Sequence, residues 1–255
     1  MPDVEVVVAH RARVTVRVGD VFLKIDGDQA LTDVEVEAMA RAPIPTPRVL
    51  WREPPVLALA AVPGVALGRL GQRSTASSAA WVAVGAAVRR LHDAPPPPWR
   101  GGRSRGGELG PRLDSECEWL ISNHVLPAEL VERNRRVAQP ALAERPPVFA
   151  HGDLQVEHVF VDGDEVTGVL DWSEAGQGDA MFDLASLTLG CPERLRELVA
   201  GYGGAVDAEV VRAWWSVRSL LASRWLIEHG FDPAAPGCEF DVLRRNAGSR
   251  NGGTG

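Results

Sequence analysis

The chain has 255 residues, 45% of them hydrophobic and 24% charged, which provides for a buried core and excludes a disordered or fibrous polymer. Lys plus Arg is 27 and Asp plus Glu is 34, a net charge of −7 that does not favour nonspecific nucleic-acid binding and suits a cationic ligand. The apolar runs 56–62 and 79–88 are too short to span a bilayer, the charged N-terminus lacks a signal-peptide pattern, and Cys117, Cys191 and Cys238 are too few and scattered for a disulfide framework or zinc site. The expectation is a cytoplasmic protein, with no membrane or nucleic-acid partner.

Residues 4–25 read as three short strands. Val4–Val8 is rich in β-branched residues, Val14, Val16 and Val18 alternate with Thr15 and Arg17, and Gly19-Asp20 turns the chain into Val21–Ile25. Thr32-Asp33 is the expected cap of a helix running to about Arg41, ended by Pro43, Pro45 and Pro47. Val49–Trp51 and Val56–Val62 are two further strands, closed by Pro63-Gly64. A strand-rich unit with one helix is thus expected over residues 1–62.

Helices dominate the rest of the chain, over 78–93 and about 114–124, 127–143, 192–202, 207–229 and 239–245. Pro95–Pro98 and the glycines from Gly101 to Gly110 predict a mobile surface loop. Val148–Leu170 reads as a β segment. The expected division is 1–62, 63–245 and a Gly-, Ser- and Asn-rich tail, 246–255, expected to be disordered. Trp119, Trp214, Trp215 and Trp225 fall at helical positions and read as core.

One count stands out. Of the 27 basic residues, 26 are Arg, and the lone lysine is Lys24, inside a strand. A position that keeps Lys against such a bias is a candidate for needing a compact ammonium rather than a planar fork.

The chemistry concentrates in residues 148–185. Val159–Val161 and Val166–Leu170 form a hairpin through Asp162-Gly163-Asp164. Asp153 precedes one strand and Asp171 follows the other, so the hairpin brings the two carboxylates together although they are 18 residues apart in sequence. His158, at the start of the first strand, lies on the same side. Two carboxylates and an imidazole gathered at one end of a hairpin are able to hold a divalent cation and serve a reacting hydroxyl. Asp at a hairpin end is also a common turn former, so the order of motifs matters more than any one of them.

That order is His151-Gly152-Asp153-Leu154, then Leu170-Asp171-Trp172, then Gly178-Asp179, then Asp183-Leu184-Ala185. It resembles the aminoglycoside phosphotransferase family, whose fold is that of protein kinases. Ile44-Pro45-Thr46-Pro47-Arg48-Val49 and Leu91-His92 match further family motifs, so the resemblance covers nearly the whole chain. It implies an α+β, bilobal protein-kinase-like fold: a small antiparallel-sheet N-lobe with one helix and a larger, mainly helical C-lobe.

The same resemblance implies roles, since phosphoryl transfer needs positioning and charge neutralisation more than covalent help. Asp153 would accept or orient the proton of the substrate hydroxyl. Asp171 would bind Mg²⁺; His158, standing where the family has a second metal-binding Asn, would either be a second ligand or only hydrogen-bond Asp153 while Asp171 holds the metal with waters. Lys24 would contact the nucleotide phosphates, held by Glu35 or, as the alternative, Glu37. Ala60 and Val62 fall in the stretch that would line the adenine pocket. ATP is the implied donor, with GTP as the other possibility. The acceptor would be a small amine-bearing molecule, most simply an aminoglycoside, with Glu174 the acidic residue singled out on its side. Choline, homoserine or a sugar are other acceptors within the family. Asp179 and Asp183 read as braces of the catalytic loop. There is no GxGxxG; Ala9–Arg13 is the only loop available to cover the phosphates, with His10, Arg11 and Arg13 as candidates to assist there, although exposed Arg is more often solvated surface. A noncatalytic, pseudokinase-like binding protein is the rival reading. A monomer and a homodimer are both compatible with the sequence.

Overall fold

A computed structural model describes residues 4–10, 13–101 and 106–248. Strands β1 (Val4–His10), β2 (Arg13–Val18), β3 (Val21–Asp26), β4 (Val49–Glu53) and β5 (Val56–Ala60) form one antiparallel sheet in the order β1-β2-β3-β5-β4. Helix α1 (Gln29–Arg41) follows β3. Its cap is Asp28, whose side chain accepts from the N–H groups of Ala30 and Leu31. The expected cap at Thr32-Asp33 is therefore one turn too late. Thr32 instead lies in the first turn, with its hydroxyl directed at the Asp28 carbonyl. Asp28 competes successfully because its carboxylate serves two orphan donors at once.

The chain then leaves the sheet. The proline linker docks on the hairpin below, where the Val169 N–H donates to the Pro45 carbonyl. The remainder contains α2 (Ser78–Asp93), α3 (Gly106–Ser122), α4 (Ala128–Val137), α5 (Ala180–Thr188), α6 (Leu195–Tyr202), α7 (Ala208–Glu228) and α8 (Glu239–Gly248). Two small sheets sit among them. The first is β6 (Val65–Ala66), β8 (Val159–Asp162) and β9 (Glu165–Val169); the second pairs β7 (Val148–Ala150) with β10 (Gly176–Gly178). This is the α+β, kinase-like fold that the motif order implies. Trp81, Trp172, Trp214, Phe149, Leu91, Leu113 and Leu154 are fully buried in its core. Each such side chain contributes about 1.5–3 kcal/mol by leaving water.

Four local expectations are corrected. Helix α3 begins at Gly106, inside the segment expected to be a loop, and contains Pro111. Leu109, Leu113, Cys117 and Leu120 form one buried face along it, so packing overrides the poor local propensity. Residues 102–105 lie outside the described part. Helix α5 occupies a stretch read only as a motif; Asp179 is its cap, accepting from the Met181 N–H. Helix α8 runs to Gly248, beyond the expected boundary at 245, because Asn246 is buried and donates to the Arg212 carbonyl and the Ser216 hydroxyl. The rest of the expected tail, 249–255, lies outside the described residues. Trp225 is 49% exposed rather than core. It stacks on His229 and Phe231 where the end of α7 meets solvent. Trp214 and Trp215 are buried, and Trp119 carries the Arg224 guanidinium over its face.

Candidate active site

The loop between β7 and β8 is held by hydrogen bonds at each step. Asp183, on α5 and 0% exposed, accepts from the backbone N–H groups of His151 at 2.7 Å and Gly152 at 3.0 Å. His92, on α2, contacts the same carboxylate at 3.1 Å and reaches Tyr202 with its other nitrogen. Gly152 has φ 82° and packs directly against the Glu174 backbone, so a side chain there would meet both strain and a collision. Asp179 accepts from the Trp214 indole and pairs with Arg145. Asp183 thus braces the loop directly, whereas Asp179 caps α5 and ties it to the Trp214 indole and Arg145.

His151 ties the two chemistry-bearing ends together. Its Nε2 meets the Leu170 carbonyl at 2.9 Å, and its Nδ1 faces the Asp153 N–H at 3.3 Å. Those partners require Nε2–H to donate and Nδ1 to accept, which is the neutral ring. Burial pushes the His151 pKa down, in agreement. A base whose folded pKa lies below its unfolded value contributes stability that is complete above the unfolded value, about 6.5, and is lost as pH falls below it. Chemical unfolding of the wild type is therefore expected to weaken by up to about 1.4 kcal/mol per pH unit below that point from this residue. His151→Gln should flatten that slope. An unchanged slope in the variant would refute this role.

Asp153 emerges from the loop 15% exposed. Gln155 Nε2 donates to both of its oxygens, at 3.0 and 3.1 Å. Arg218, on α7, donates to Oδ1 at 3.0 Å and to the Ser186 hydroxyl at 2.6 Å. Arg218 was not identified from the sequence. Nothing near it on α7 marks it, and its partner lies 65 residues away in the chain.

Asp171 stands at the end of β9 with φ 59°, a left-handed conformation unusual outside glycine. Its Oδ1 accepts from Lys24 Nζ at 3.1 Å, Arg13 Nη1 at 3.3 Å and the Ser173 hydroxyl at 3.2 Å. Burial on its own would raise this carboxyl, but Lys24, His158 and Arg13 together hold it well below the usual carboxylate range. Lys24 is 12% exposed and meets both oxygens of Glu35, at 2.6 and 2.7 Å. Glu37 instead pairs with Arg41 on the surface of α1, which leaves Glu35 as the lysine's partner. Burial pushes the Glu35 carboxyl up against the pull of Lys24.

His158 lies between the two aspartates. Its Nδ1 meets the Asp153 carbonyl at 2.8 Å and therefore donates. That turns Nε2 toward Asp171 Oδ2, 4.0 Å away. Among the described residues no three His, Cys, Asp or Glu side chains form a ready-made cation cage. The donor set nevertheless fits Mg²⁺, which keeps several waters and takes one or two carboxylates from the protein. A metal-bound imidazole characteristically gives its other N–H to a backbone carbonyl, as His158 does.

Ala60 and Val62 are half-buried at and just beyond the end of β5. The N–H groups of Ala60 and Ala61 are already spent on the Arg48 and Asp20 carbonyls, and the Val62 side chain packs against Gly168 of β9. Glu174 is half-buried beside Gly152. Glu239, at the start of α8, is also half-buried; burial raises its carboxyl, and Arg218 pulls the other way.

The model of the phosphotransferase enzyme family matches residues 13–218, more than half of the chain. The chain belongs to the phosphotransferase enzyme family. Solved structures agree with the fold of this family. A choline/ethanolamine kinase family protein from Mesorhizobium loti superposes with TM-score 0.72 at 22% identity, covering 97% of this chain and 89% of its own. Macrolide 2'-phosphotransferase MphH from Brachybacterium faecium gives TM-score 0.64 at 18% identity, with 97% and 92% covered. Aminoglycoside phosphotransferase APH(3'')-Id from Streptomyces rimosus, in complex with ADP and streptomycin, gives TM-score 0.59 at 25% identity, with 82% and 90% covered. The chain is thus a kinase-type phosphotransferase by family, similar to members that act on chemically different acceptors. Among the described residues no helix is long and apolar enough to cross a membrane.

Proposed function

We propose that this phosphotransferase moves the γ-phosphoryl group of ATP to a hydroxyl of a small amine-bearing molecule, with an aminoglycoside as the leading acceptor. The observation that carries the reading is the run of contacts from Lys24 through Asp171 and His158 to Asp153, which sets cations for phosphate at one end and a carboxylate for a hydroxyl at the other. In this reading residues 1–62 and 63–245 are two lobes with the nucleotide between them.

Asp153 accepts the proton of the acceptor hydroxyl as its oxygen attacks the γ-phosphorus. The new O–P bond forms as the bond to the β-phosphate oxygen breaks, and the diphosphate leaves. Gln155 and Arg218 fix the direction of the carboxylate, which matters because misplacement by about 1 Å costs on the order of 10²-fold in rate. Lys24, held by Glu35, contacts the α- and β-phosphates. Asp171 and His158 would hold Mg²⁺, which neutralises charge on the transferring phosphates when bound. The backbone around Ala60 and Val62 would receive the adenine, through carbonyls and the Val62 N–H rather than the N–H groups already spent. Glu174 and Glu239 supply acidic side chains on the acceptor side of Asp153, in keeping with an amine.

The test is ATP consumption by the purified protein with Mg²⁺ against a panel of aminoglycosides and small amino alcohols, with Asp153→Asn as control. Acceptor-dependent ADP formation by wild type alone supports the reading. Nucleotide binding with no transfer to any acceptor would favour a noncatalytic binding protein, a rival that finds support in the ion pairs already engaging both Asp153 and Asp171. His158→Asn offers Mg²⁺ the oxygen it prefers. Mg²⁺-dependent turnover should be kept or raised in that variant, and the ratio of Mn²⁺- to Mg²⁺-supported rate should fall. Complete loss in a folded variant would contradict the metal role.

A further inference from the structure

Two buried cation–carboxylate pairs, not one, converge on Asp171. The second is Arg13 with Asp26. Arg13 Nε donates to Asp26 Oδ2 at 2.6 Å, and the other oxygen of Asp26 accepts the Asp28 N–H at 2.9 Å, so this carboxylate is fixed by the same turn that starts α1. Arg13 and Asp26 are directly opposite in the β2–β3 register. Asp26 lies two residues beyond Lys24, on the same face of β3. Arg13 Nη1 then reaches the oxygen of Asp171 that Lys24 also takes.

The sequence explains why a second cation is needed there. A glycine-rich loop cradles phosphates with backbone N–H groups in conformations that favour glycine. The sequence joining β1 to β2 is Arg11-Ala12, without a glycine. A guanidinium held on a rigid strand is the other chemical solution, because its planar fork matches phosphate oxygens. Among the described residues only Asp26 and Asp171 accept from Arg13, so the fork retains N–H groups for another acceptor.

The geometry points to Arg13 as a second phosphate-contacting cation for the bound nucleotide, with Asp26 as its positioning residue; the inference rests on the phosphotransferase reading above. Arg13–Asp26 then repeats on β2 and β3 the logic of Lys24–Glu35. The competing structural interpretation is a latch, in which Arg13 only blocks Asp171, and it predicts the opposite sign.

The experiment is calorimetric titration of wild type, Arg13→Gln, Arg13→Lys and Asp26→Asn with ATP plus Mg²⁺, and separately with adenosine. Arg13→Gln should weaken ATP by about 10- to 100-fold, as expected for loss of a charge-assisted contact, and change adenosine affinity by less than about twofold. Arg13→Lys should recover part of the loss, and Asp26→Asn should lose less than Arg13→Gln. If Arg13→Gln is too unstable to measure, the other two variants carry the same comparison. Unchanged ATP affinity, tighter ATP binding, or equal losses for ATP and adenosine would each overturn the inference while leaving the transferase reading in place, provided wild type still transfers phosphate. Failure of wild type to bind ATP at all would overturn both.

Discussion

Asp153→Asn is expected to lower kcat by about 10²- to 10⁴-fold, the usual contribution of a positioned general base. The KM for ATP should stay within about threefold, because the Asp153 carboxylate is held by Gln155 and Arg218 while Lys24 and Arg13 engage Asp171. Steady-state kinetics with the best acceptor from the screen would check both values. Asparagine preserves shape and can still accept from Arg218, so the fold should survive, with a change in unfolding free energy of about 1 kcal/mol or less. A variant with wild-type kcat would remove Asp153 from the chemistry. A large rise in KM for ATP without a fall in kcat would mean that this carboxylate serves the nucleotide instead.

The second large effect concerns stability. Asp183→Ala should reduce the unfolding free energy by about 3–5 kcal/mol, a large part of the 5–15 kcal/mol typical of a folded domain. The reason is specific. Alanine would leave the N–H groups of His151 and Gly152 without their acceptor at a fully buried position, and would strip His92 of its carboxylate. Asp183→Asn can satisfy some of these donors and should fall between alanine and wild type. Urea unfolding followed by tryptophan fluorescence would measure the series. A cost below about 1 kcal/mol for alanine would show that the loop does not depend on this anchor.

Both predictions concern one loop, and its legibility from sequence has a local cause. The stretch from His151 to Leu170 is a turn followed by a hairpin. Short-range geometry alone carries Asp153, His158 and Asp171 to the same end of β8 and β9, so their spacing is informative. Lys24 is legible for another reason: it is the single lysine among 27 basic residues and sits in a strand. Glu35 and Glu37 were not separable in the sequence, since they project from different faces of one helix and nothing local says which face meets the sheet. The packing of α1 on the sheet separates them, burying Glu35 against Lys24 and leaving Glu37 to Arg41.

Other features depend on contacts between distant segments. Helix α3 exists because Leu109, Leu113, Cys117 and Leu120 find a core to cover, although its glycines and Pro111 argue locally for a loop. Trp225 carries the same residue type as the buried Trp214 and Trp215, but α7 outruns the body that covers them.

What the amino-acid sequence determined by itself is the set of features that are local: the loop from His151, the two aspartates flanking one hairpin, and a lone lysine inside a strand. What only the tertiary structure decided is the set of partners that orient those groups, Arg218 on Asp153 and Lys24 and Arg13 on Asp171. Hairpin geometry is written in a dozen neighbouring residues and can be read from them. A side chain that arrives from a remote helix or strand is specified by the packing of the whole core, and no local pattern records it.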